Sequence, residues 1–426
     1  MTQRRVAVVA RAVMPLHGFG GLERHVRDLV VHLSKRGVAV TLITPPPHSG
    51  AGLAPWSSSP LVTMRHVPYI TFPMAGRRGT TVIDRSTAYP WFGHRAGRLA
   101  LSLVRQGEID IVHGLGASVL GYARARRHAS QTGASAPLVF NPQGLEEFGA
   151  SGPAQAWGKR IGYAPLRAAV RACAAAADRI IATDRALEPV VIRHLHPAPG
   201  RLCTVPNAID LEELDAWTRT GAGADMRARH GIQADELLIL SVGRLEANKG
   251  FDQLAGALAS ASREGRALAR RTWRWVLVGA GSRQADVARA IADRGIGARV
   301  VMAGRVDDQD LHAWYEAASL FAHPTLYEGS SLVTLEAMAH RRAVVATIAG
   351  GLPDKVRPPL NGWLVPPGDV EALARAIEDA AGDDQRLKAM GLDSRAIVER
   401  DFAWSTVIQR QIEIYEELLE RRKDGM

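Results

Sequence analysis

The sequence predicts an α/β protein made of two doubly wound, Rossmann-like domains. Its 426 residues exceed the length of one typical domain. In both halves, short apolar segments alternate with longer segments whose apolar residues recur at helical spacing, which favours parallel sheets covered by helices. The alternation is interrupted by a polar, irregular stretch at residues 205–235. We therefore predict a first domain at residues 1–205, a second at residues 206–401 and a terminal helix at residues 402–426.

The first domain begins with a strand–helix–strand unit. A strand at residues 5–10 precedes an amphipathic helix at residues 22–36, which Gly37 ends, and a second strand follows at residues 38–43. Further strands are predicted at residues 61–67, 109–113, 137–140, 179–182 and 202–205. Helices are predicted to fill the intervals, for example at residues 122–130 and 165–177.

The second domain shows the same alternation. Its strands are predicted at residues 237–242, 275–278, 300–303, 320–322, 344–346 and 363–365, with helices between them. The end of the chain reads as two helices, of which the second, at residues 402–422, is amphipathic. Ligands of such sheets bind at the carboxyl ends of the strands, so the loops after the strands should hold the site.

Charge and cysteine content restrict the class of protein. Residues 1–201 hold 25 Lys and Arg against 10 Asp and Glu, whereas residues 202–426 hold 28 against 33. A basic half predicts an anionic partner: a membrane surface, nucleic acid or a phosphorylated substrate. Cys173 and Cys203 are too few for a disulfide framework, which favours a reducing cytosol. No apolar segment approaches the ~18 residues of a membrane span.

The stretch from Tyr327 to Ala339 carries the strongest chemical signal. It reads as the end of a strand, a Gly-Ser-Ser turn and the start of a helix, with Ser330 or Ser331 as the N-cap. A helix start presents unpaired N–H groups, which suit a phosphate. Glu328 and Glu336 flank this position and can accept hydrogen bonds from hydroxyl groups.

A second loop supplies cations. Arg244 and Lys249 follow the predicted strand 237–242 and can neutralise the two phosphates of a leaving diphosphate. A P-loop does not fit, because Asn248 stands where that motif needs glycine and Gly250 where it needs Ser or Thr.

Together, Glu-x7-Glu and the Gly-Arg and Lys-Gly pairs resemble glycosyltransferase family 4, whose members are retaining enzymes of the GT-B fold. The resemblance implies two facing Rossmann-like domains, a terminal helix that crosses back to the first, and no metal or other cofactor. It implies that Glu328 contacts the transferred sugar and Glu336 the ribose, within a donor loop that also contains Gly329, Ser330, Ser331 and Leu332.

The resemblance extends to weaker positions. Gly20 and Gly21 match a loop whose backbone approaches the phosphates, and Gly279 begins a Gly-x-Gly turn. Residues 304–306, which end at Val306, resemble the stretch whose backbone meets the nucleobase. His113 is a candidate catalytic residue, although the family places its histidine two positions later, where Leu115 stands. Ser330 and Ser331 replace the bulky apolar residue and the Gly or Pro of the family, so its sugar selectivity does not carry over.

The function implied is transfer of a sugar from a nucleotide diphosphate sugar to a glycan or lipid-linked acceptor, in polysaccharide, lipopolysaccharide or glycolipid synthesis. The expected location is cytoplasmic, with docking on an anionic membrane surface through a basic helix at residues 157–177. One alternative is an NAD-dependent oxidoreductase. This alternative is disfavoured because the sequence does not match the dinucleotide-binding fingerprint, whose last glycine is replaced by Glu23. The other is a non-catalytic basic protein, but no nucleic-acid-binding motif is found.

Overall fold

The computed structural model describes residues 3–48, 54–71, 81–129, 135–149 and 161–424. The chain forms two compact units, one of residues 1–207 with 404–426 and one of residues 208–403. The unit boundaries lie two residues beyond the predicted positions 205 and 401. None of the described helices combines the length and apolar character needed to cross a membrane.

The first unit is built on a seven-stranded parallel sheet in the order β3-β2-β1-β4-β5-β6-β7. Strand β1, which lies between β2 and β4, is buried on both faces: Val6, Ala7, Val8 and Val9 are fully inaccessible to solvent. The strands are β1 (Arg5–Val9), β2 (Ala39–Thr44), β3 (Val62–His66), β4 (Ile111–Leu115), β5 (Leu138–Asn141), β6 (Arg179–Ala182) and β7 (Leu202–Thr204). The helices are α1 (Gly21–Lys35), α2 (Thr81–Arg105), α3 (Leu120–Ala129), α4 (Ala164–Ala176) and α5 (Glu188–Leu195).

Helix α2 lies in an interval where a helix is expected, although the sequence analysis did not predict its bounds. Its glycines allow close packing: a Cβ atom on Gly93 would lie 1.9 Å from the carbonyl oxygen of Ala117, and one on Gly97 would lie 2.4 Å from the backbone nitrogen of Tyr122. Glycine is therefore required where α2 contacts the segment that follows β4.

The second unit has a six-stranded parallel sheet in the order β10-β9-β8-β11-β12-β13. The strands are β8 (Leu237–Val242), β9 (Trp273–Val278), β10 (Val300–Gly304), β11 (Leu320–His323), β12 (Ala343–Thr347) and β13 (Gly362–Val365). The helices are α6 (Leu211–Trp217), α7 (Ala222–Arg229), α8 (Phe251–Ala261), α9 (Gln284–Asp293), α10 (Asp308–Ala317), α11 (Leu332–Ala339), α12 (Leu352–Lys355), α13 (Val370–Ala381) and α14 (Asp384–Ile397).

The prediction of an irregular link at residues 205–235 is wrong in part, because this stretch contains α6 and α7. Asp210 caps α6 by accepting hydrogen bonds from the backbone N–H groups of Glu212 and Glu213. Trp217 at the end of this helix stacks on His312 at a ring distance of 6.3 Å. Both helices therefore pack as part of the second unit.

The C-terminal helix α15 (Trp404–Asp424) belongs to the first unit, as predicted. The hydroxyl of Tyr415 lies 2.6 Å from Nδ1 of His113 on β4. Trp404 stacks on His32 of α1 at 5.3 Å, and Glu417 pairs with Arg179 of β6 at 2.6 Å. Stacking, hydrogen bonding and an ion pair thus attach the helix to three elements of this unit.

The described part of the predicted membrane helix packs largely inward. Residues 157–160 lie outside the described residues. Tyr163 and Leu166 are buried in the core of the first unit, whereas Ile161 is exposed. Tyr163 and Leu166 therefore do not supply the exposed apolar groups that the prediction required.

Candidate active site

The candidate site lies where the sheet of the second unit reverses its strand order. Strands β8 and β11 are neighbours, and the chain leaves them toward opposite edges of the sheet. The loops after their carboxyl ends therefore meet at a topological switch point, where ligands of doubly wound sheets bind. The backbone N–H of Leu326 donates to the carbonyl of Asn248 at 2.7 Å, and the Thr325 hydroxyl donates to the same oxygen at 2.9 Å.

Gly250 permits this contact between the two loops. Its φ of +65° lies in the left-handed region, and an added Cβ would lie 2.2 Å from the carbonyl oxygen of Pro324. Any side chain would therefore have to displace backbone atoms of the neighbouring loop. This explains physically why glycine follows Lys249.

Three side chains converge at the centre of the site. The ammonium of Lys249 lies 2.6 Å from Oε2 of Glu328, and Nε2 of His323 lies 2.9 Å from the same oxygen. Oε1 of Glu328 has a longer contact, 3.3 Å from the backbone nitrogen of Gly329. Both strong interactions therefore converge on Oε2, and Oε1 is the oxygen better placed to accept from a hydroxyl group.

The electrostatics keep Glu328 ionised. Burial alone raises the pKa of this carboxyl, but the charge of Lys249 and the hydrogen bond from His323 outweigh it, so the pKa lies well below its usual range. Burial also lowers the pKa of His323, against the opposing effect of Glu328. A neutral His323 ring donates through Nε2 to the carboxylate, which leaves Nδ1 unprotonated.

Arg244 differs from Lys249 in its surroundings. Its side chain is exposed, and no hydrogen bond or ion pair joins it to another part of the described chain. A guanidinium in this state can turn toward an incoming anion without breaking a contact. The two predicted cations therefore lie in one loop but in different states, one paired and one unpaired.

The start of α11 has the predicted cap. The hydroxyl of Ser331 accepts a hydrogen bond from the backbone N–H of Thr334 at 3.3 Å, which confirms this serine as the N-cap. Ser330 is contacted from inside by the ammonium of Lys355, whose side chain is fully buried, at 3.1 Å. Gly329 is held by a hydrogen bond from the backbone N–H of Gly351 to its carbonyl, at 2.8 Å. The donor loop therefore rests on the segment that follows β12.

Glu336, which the sequence predicts to contact the ribose, is almost completely buried. Its residue is 4% exposed, and one carboxylate oxygen accepts from the Tyr315 hydroxyl at 2.8 Å. Tyr315 in turn stacks on His340 at 5.4 Å. The side chain is thus held by α10, while Leu332, four residues earlier, is buried at the start of the same helix.

The remaining predicted positions of this unit lie on neighbouring loops. Gly279 has a φ of +134°, and an added Cβ would lie 1.9 Å from the carbonyl oxygen of Gly243. The loop after β9 therefore packs directly on the loop that carries Arg244. Val306 is half-buried beyond the end of β10, and the N–H of Gly279 donates to Gly304 at 2.7 Å.

The predicted positions of the first unit behave differently. Gly20 is the exposed N-cap of α1 and Gly21 its first residue, so glycines do stand at a helix start. His113 is 1% exposed inside the core, and burial lowers its pKa to about 3. A ring enclosed in this way, with Nδ1 engaged by Tyr415, attaches α15 to β4 and does not face a substrate. We therefore replace its predicted catalytic role with a packing role.

Sequence reasoning missed His323 and Lys355. His323 closes the buried and otherwise apolar strand β11, and a histidine in that position is itself a signal of a buried polar contact. Lys355 follows no comparable pattern. Its burial beneath Ser330 depends on the path of the chain after β12.

Two all-parallel, doubly wound units, with cations and a carboxylate at the switch point of the second, define a glycosyltransferase of the GT-B fold. The family described as "Glycosyl transferases group 1" matches residues 236–383, and the one described as "Glycosyltransferase Family 4" matches residues 19–213. D-inositol 3-phosphate glycosyltransferase 1 of Catenulispora acidiphila is 32% identical over 326 residues, which cover 74% of this chain and 73% of that protein. The chain therefore belongs to glycosyltransferase family 4.

Relatives that match over more of this chain, at lower sequence identity, agree with this assignment. The D-inositol 3-phosphate glycosyltransferase of Streptomyces scabiei is 29% identical, over 97% of this chain and 91% of that protein. Sucrose-phosphate synthase from Thermosynechococcus elongatus superposes with a TM-score of 0.75 at 21% identity, covering 98% of this chain and all of that one. HepE from Anabaena, solved in complex with UDP, gives a TM-score of 0.71 at 18% identity, with 97% and 100% covered. These two structures support the fold.

Proposed function

We propose that the protein transfers a sugar from a nucleotide diphosphate sugar to an acceptor hydroxyl with retention of anomeric configuration. The observation that carries this proposal is the cluster of Lys249, His323 and Glu328 beside the start of α11. It places an ionised carboxylate, a cation and helix N–H groups within one pair of loops. A diphosphate and a sugar need these complementary groups side by side.

In this proposal the diphosphate takes its positive partners from the loop after β8. Arg244 and Lys249 neutralise the charge that develops on the phosphate as the glycosidic bond breaks. Lys249 is then shared between Glu328 and the phosphate. The first N–H groups of α11 add the positive end of a helix dipole.

The reaction proceeds at one face of the sugar. The bond between the anomeric carbon and the phosphate oxygen breaks, and the acceptor oxygen bonds to that carbon from the same side. The acceptor proton passes to the departing phosphate oxygen, so no nucleophile of the protein is needed. Oε1 of Glu328 holds a sugar hydroxyl throughout.

The comparisons suggest which compounds to test. HepE was solved with UDP and with UDP-glucose, so uridine nucleotides are the first donors to try. The curated relatives are named for D-inositol 3-phosphate, so this compound joins glycan and lipid-linked hydroxyl compounds as a candidate acceptor. A cytoplasmic location and attachment to an anionic membrane surface stay predictions.

The test begins with donor binding. Thermal unfolding is followed with UDP-, ADP- and GDP-sugars, because a ligand that binds the folded state raises its stability with the logarithm of ligand excess. The donor that binds is then incubated with each acceptor. Release of nucleotide diphosphate and a product with the donor's anomeric configuration, determined by NMR, are expected. An inverted product would refute the retaining mechanism, and reduction of an added nicotinamide cofactor would favour the oxidoreductase.

A further inference from the structure

The first unit contains an arginine-rich cavity at the amino-terminal edge of its sheet. The cavity has a volume of about 480 Å³. Arg179 begins β6, Arg201 immediately precedes β7, and α3 and the last turns of α15 contribute the remaining cations. The charged residues that line it are Arg126, Asp178, Arg179, Arg201, Arg421 and Arg422.

Nearby carboxylates compensate only part of this charge. Arg126 pairs with Asp178 at 2.6 Å. Arg179 and Arg421 share Glu417, at 2.6 and 2.7 Å. These ion pairs therefore join three guanidinium groups to only two carboxylates.

Two further arginines have no acidic partner among the side chains that the structure describes. Arg201 donates to the backbone carbonyl of Ala177 at 3.1 Å, and neither it nor Arg422 forms an ion pair with any other described residue. Both line the cavity. The cavity therefore carries more positive charge than the chain itself neutralises.

The other cavities that we describe have a different balance. The one beside Cys203 is lined by Arg185 and Arg410 together with three glutamates. The one in the second unit, near Arg342, is lined by five basic and four acidic residues. Cations at the end of α15 also interact favourably with its helix dipole, which gives one reason for Arg421 and Arg422. Arg126 and Arg201 donate to the carbonyls of Ala176 and Ala177 at the end of α4, so a helix C-terminus accounts for part of their placement as well, but not for Arg179 at the start of β6.

We propose that this cavity binds a phosphate-bearing anion with two or more negative charges. Guanidinium groups bind phosphate oxygens in pairs of parallel hydrogen bonds, and several can share one phosphate. The site is distinct from the donor site, since it lies at the amino ends of strands in the first unit, whereas the donor loops follow the carboxyl ends of strands in the second. The ligand is a free phosphorylated compound or a phosphomonoester lipid headgroup, and both present the same chemistry.

The free-compound arm uses inorganic pyrophosphate and calorimetry. The titration is made in the Arg244→Ala background, which weakens the proposed donor site. There, Arg201→Ala combined with Arg422→Ala should weaken the remaining pyrophosphate binding at least about tenfold, because two charged hydrogen-bond donors are lost. The matched control replaces two exposed arginines of the same unit, Arg98 and Arg193, with the same change in net charge.

The headgroup arm uses flotation with vesicles of phosphatidic acid or of phosphatidylcholine. If a lipid headgroup is the ligand, the protein floats with phosphatidic acid vesicles, and the Arg201→Ala, Arg422→Ala variant does not. Pyrophosphate binding without flotation identifies a free compound instead. Circular dichroism verifies that every variant is folded.

Two results would overturn the proposal. One is equal weakening in the cavity variant and in the Arg98 and Arg193 control, which would show a general effect of charge. The other is absence of binding in both arms. Because neither arm depends on glycosyl transfer, a failure here leaves the proposed function untouched, and the reverse also holds.

Discussion

At the scale of single residues, the two oxygens of Glu328 have different partners. Lys249 and His323 both contact Oε2, while Oε1 meets a backbone N–H at 3.3 Å. The carboxylate is thus fixed through Oε2, and Oε1 remains able to accept a hydrogen bond from a ligand. A sugar hydroxyl that donates to Oε1 therefore binds a carboxylate whose position is already fixed.

Replacing this charge with a neutral amide should affect turnover more than nucleotide binding. For Glu328→Gln we expect kcat to fall roughly ten- to a thousand-fold, the range for a polar group that stabilises a transition state. The affinity for nucleotide diphosphate should change little. Steady-state kinetics and calorimetry measure the two quantities, with exposed Glu264→Gln as the control. Wild-type turnover in Glu328→Gln would remove this residue from the mechanism.

In the proposed mechanism, His323 is a positioning residue that acts through Glu328. Its removal in His323→Ala should lower kcat roughly ten- to a hundredfold, since a hydrogen bond to a charged group contributes about 1.5–3 kcal/mol. His323→Gln retains an N–H donor and should recover much of the loss. Nucleotide affinity should be equal in both variants. The control is His323→Leu, which fills similar space without an N–H donor, and a kcat equal to that of the glutamine variant would show that His323 only fills space.

Arg244 should serve the diphosphate and not the nucleoside. Arg244→Ala should weaken binding of the nucleotide diphosphate by about 1.5–3 kcal/mol, the contribution of a charged hydrogen bond. The nucleoside alone should bind as before. Calorimetry with both ligands measures this, and exposed Arg289→Ala on α9 is the matched control. Equal losses for nucleoside and nucleotide would indicate a disturbed fold instead.

The sequence located part of this site because its loops follow apolar strands. Arg244, Lys249 and Glu328 lie next to segments that are unmistakably buried, so their meeting at one sheet edge was predictable. The contact between His323 and Glu328 depends on the fold of the loop between them. The bond from Tyr315 to Glu336 joins two helices, and no local pattern predicts such a pairing.

At the scale of elements, the close approach of the loops after β8 and β11 depends on Gly250. An alanine there meets both a left-handed backbone and the carbonyl of Pro324, whereas Gly231 has nearly the same φ, +63°, with nothing within 4 Å of an added Cβ. Gly231→Ala should cost about 1–2 kcal/mol for the backbone conformation alone.

Gly250→Ala should cost more, about 3 kcal/mol or above, because backbone atoms must move as well. It should also weaken nucleotide binding. Urea unfolding of the two variants provides the comparison, and calorimetry provides the affinity. Equal destabilisation would show that the second loop yields without cost and that its contact with Gly250 has no structural role.

The elements themselves were predictable to different degrees. Buried parallel strands are continuous apolar runs, and for this reason β6 and β8 were predicted with the bounds that the structure shows. The bounds of helix α2 could not be predicted because Pro90, Gly93 and Gly97 interrupt the helical pattern, and packing compensates for their low propensity. Helix α6 was missed despite its cap, Asp210, because its seven residues are too few for a periodic signal.

At the scale of the whole molecule, buried histidines make stability depend on pH. Burial lowers the pKa of His25 to about 4, and that of His113 and His340 to about 3. The first two lie in the first unit and the third in the second. All three are therefore neutral in the folded state across a range where the unfolded chain, with a pKa of ~6.5, takes up protons.

The sign follows from where protons bind. Between the folded values and about pH 6.5, the unfolded state holds more protons, so the free energy of unfolding falls as the pH falls. Each histidine should remove up to about 2 kcal/mol between pH 7.5 and pH 5, which is above the range where ordinary carboxylates titrate. Urea unfolding at half-unit steps of pH measures this slope.

A substitution at one of these positions separates this cause from others. His113→Gln removes the titrating ring, so the dependence of unfolding free energy on pH should become shallower, although the variant is less stable at pH 7.5. Val170→Ala, at a buried position of the same unit that carries no titrating group, is the control and should keep the wild-type slope although it too lowers stability. A wild-type slope in His113→Gln would mean that this ring accepts a proton in the folded protein. In that case its enclosure against Tyr415 would have to open as the pH falls, and the attachment of α15 to β4 would be the element that loosens first in acid.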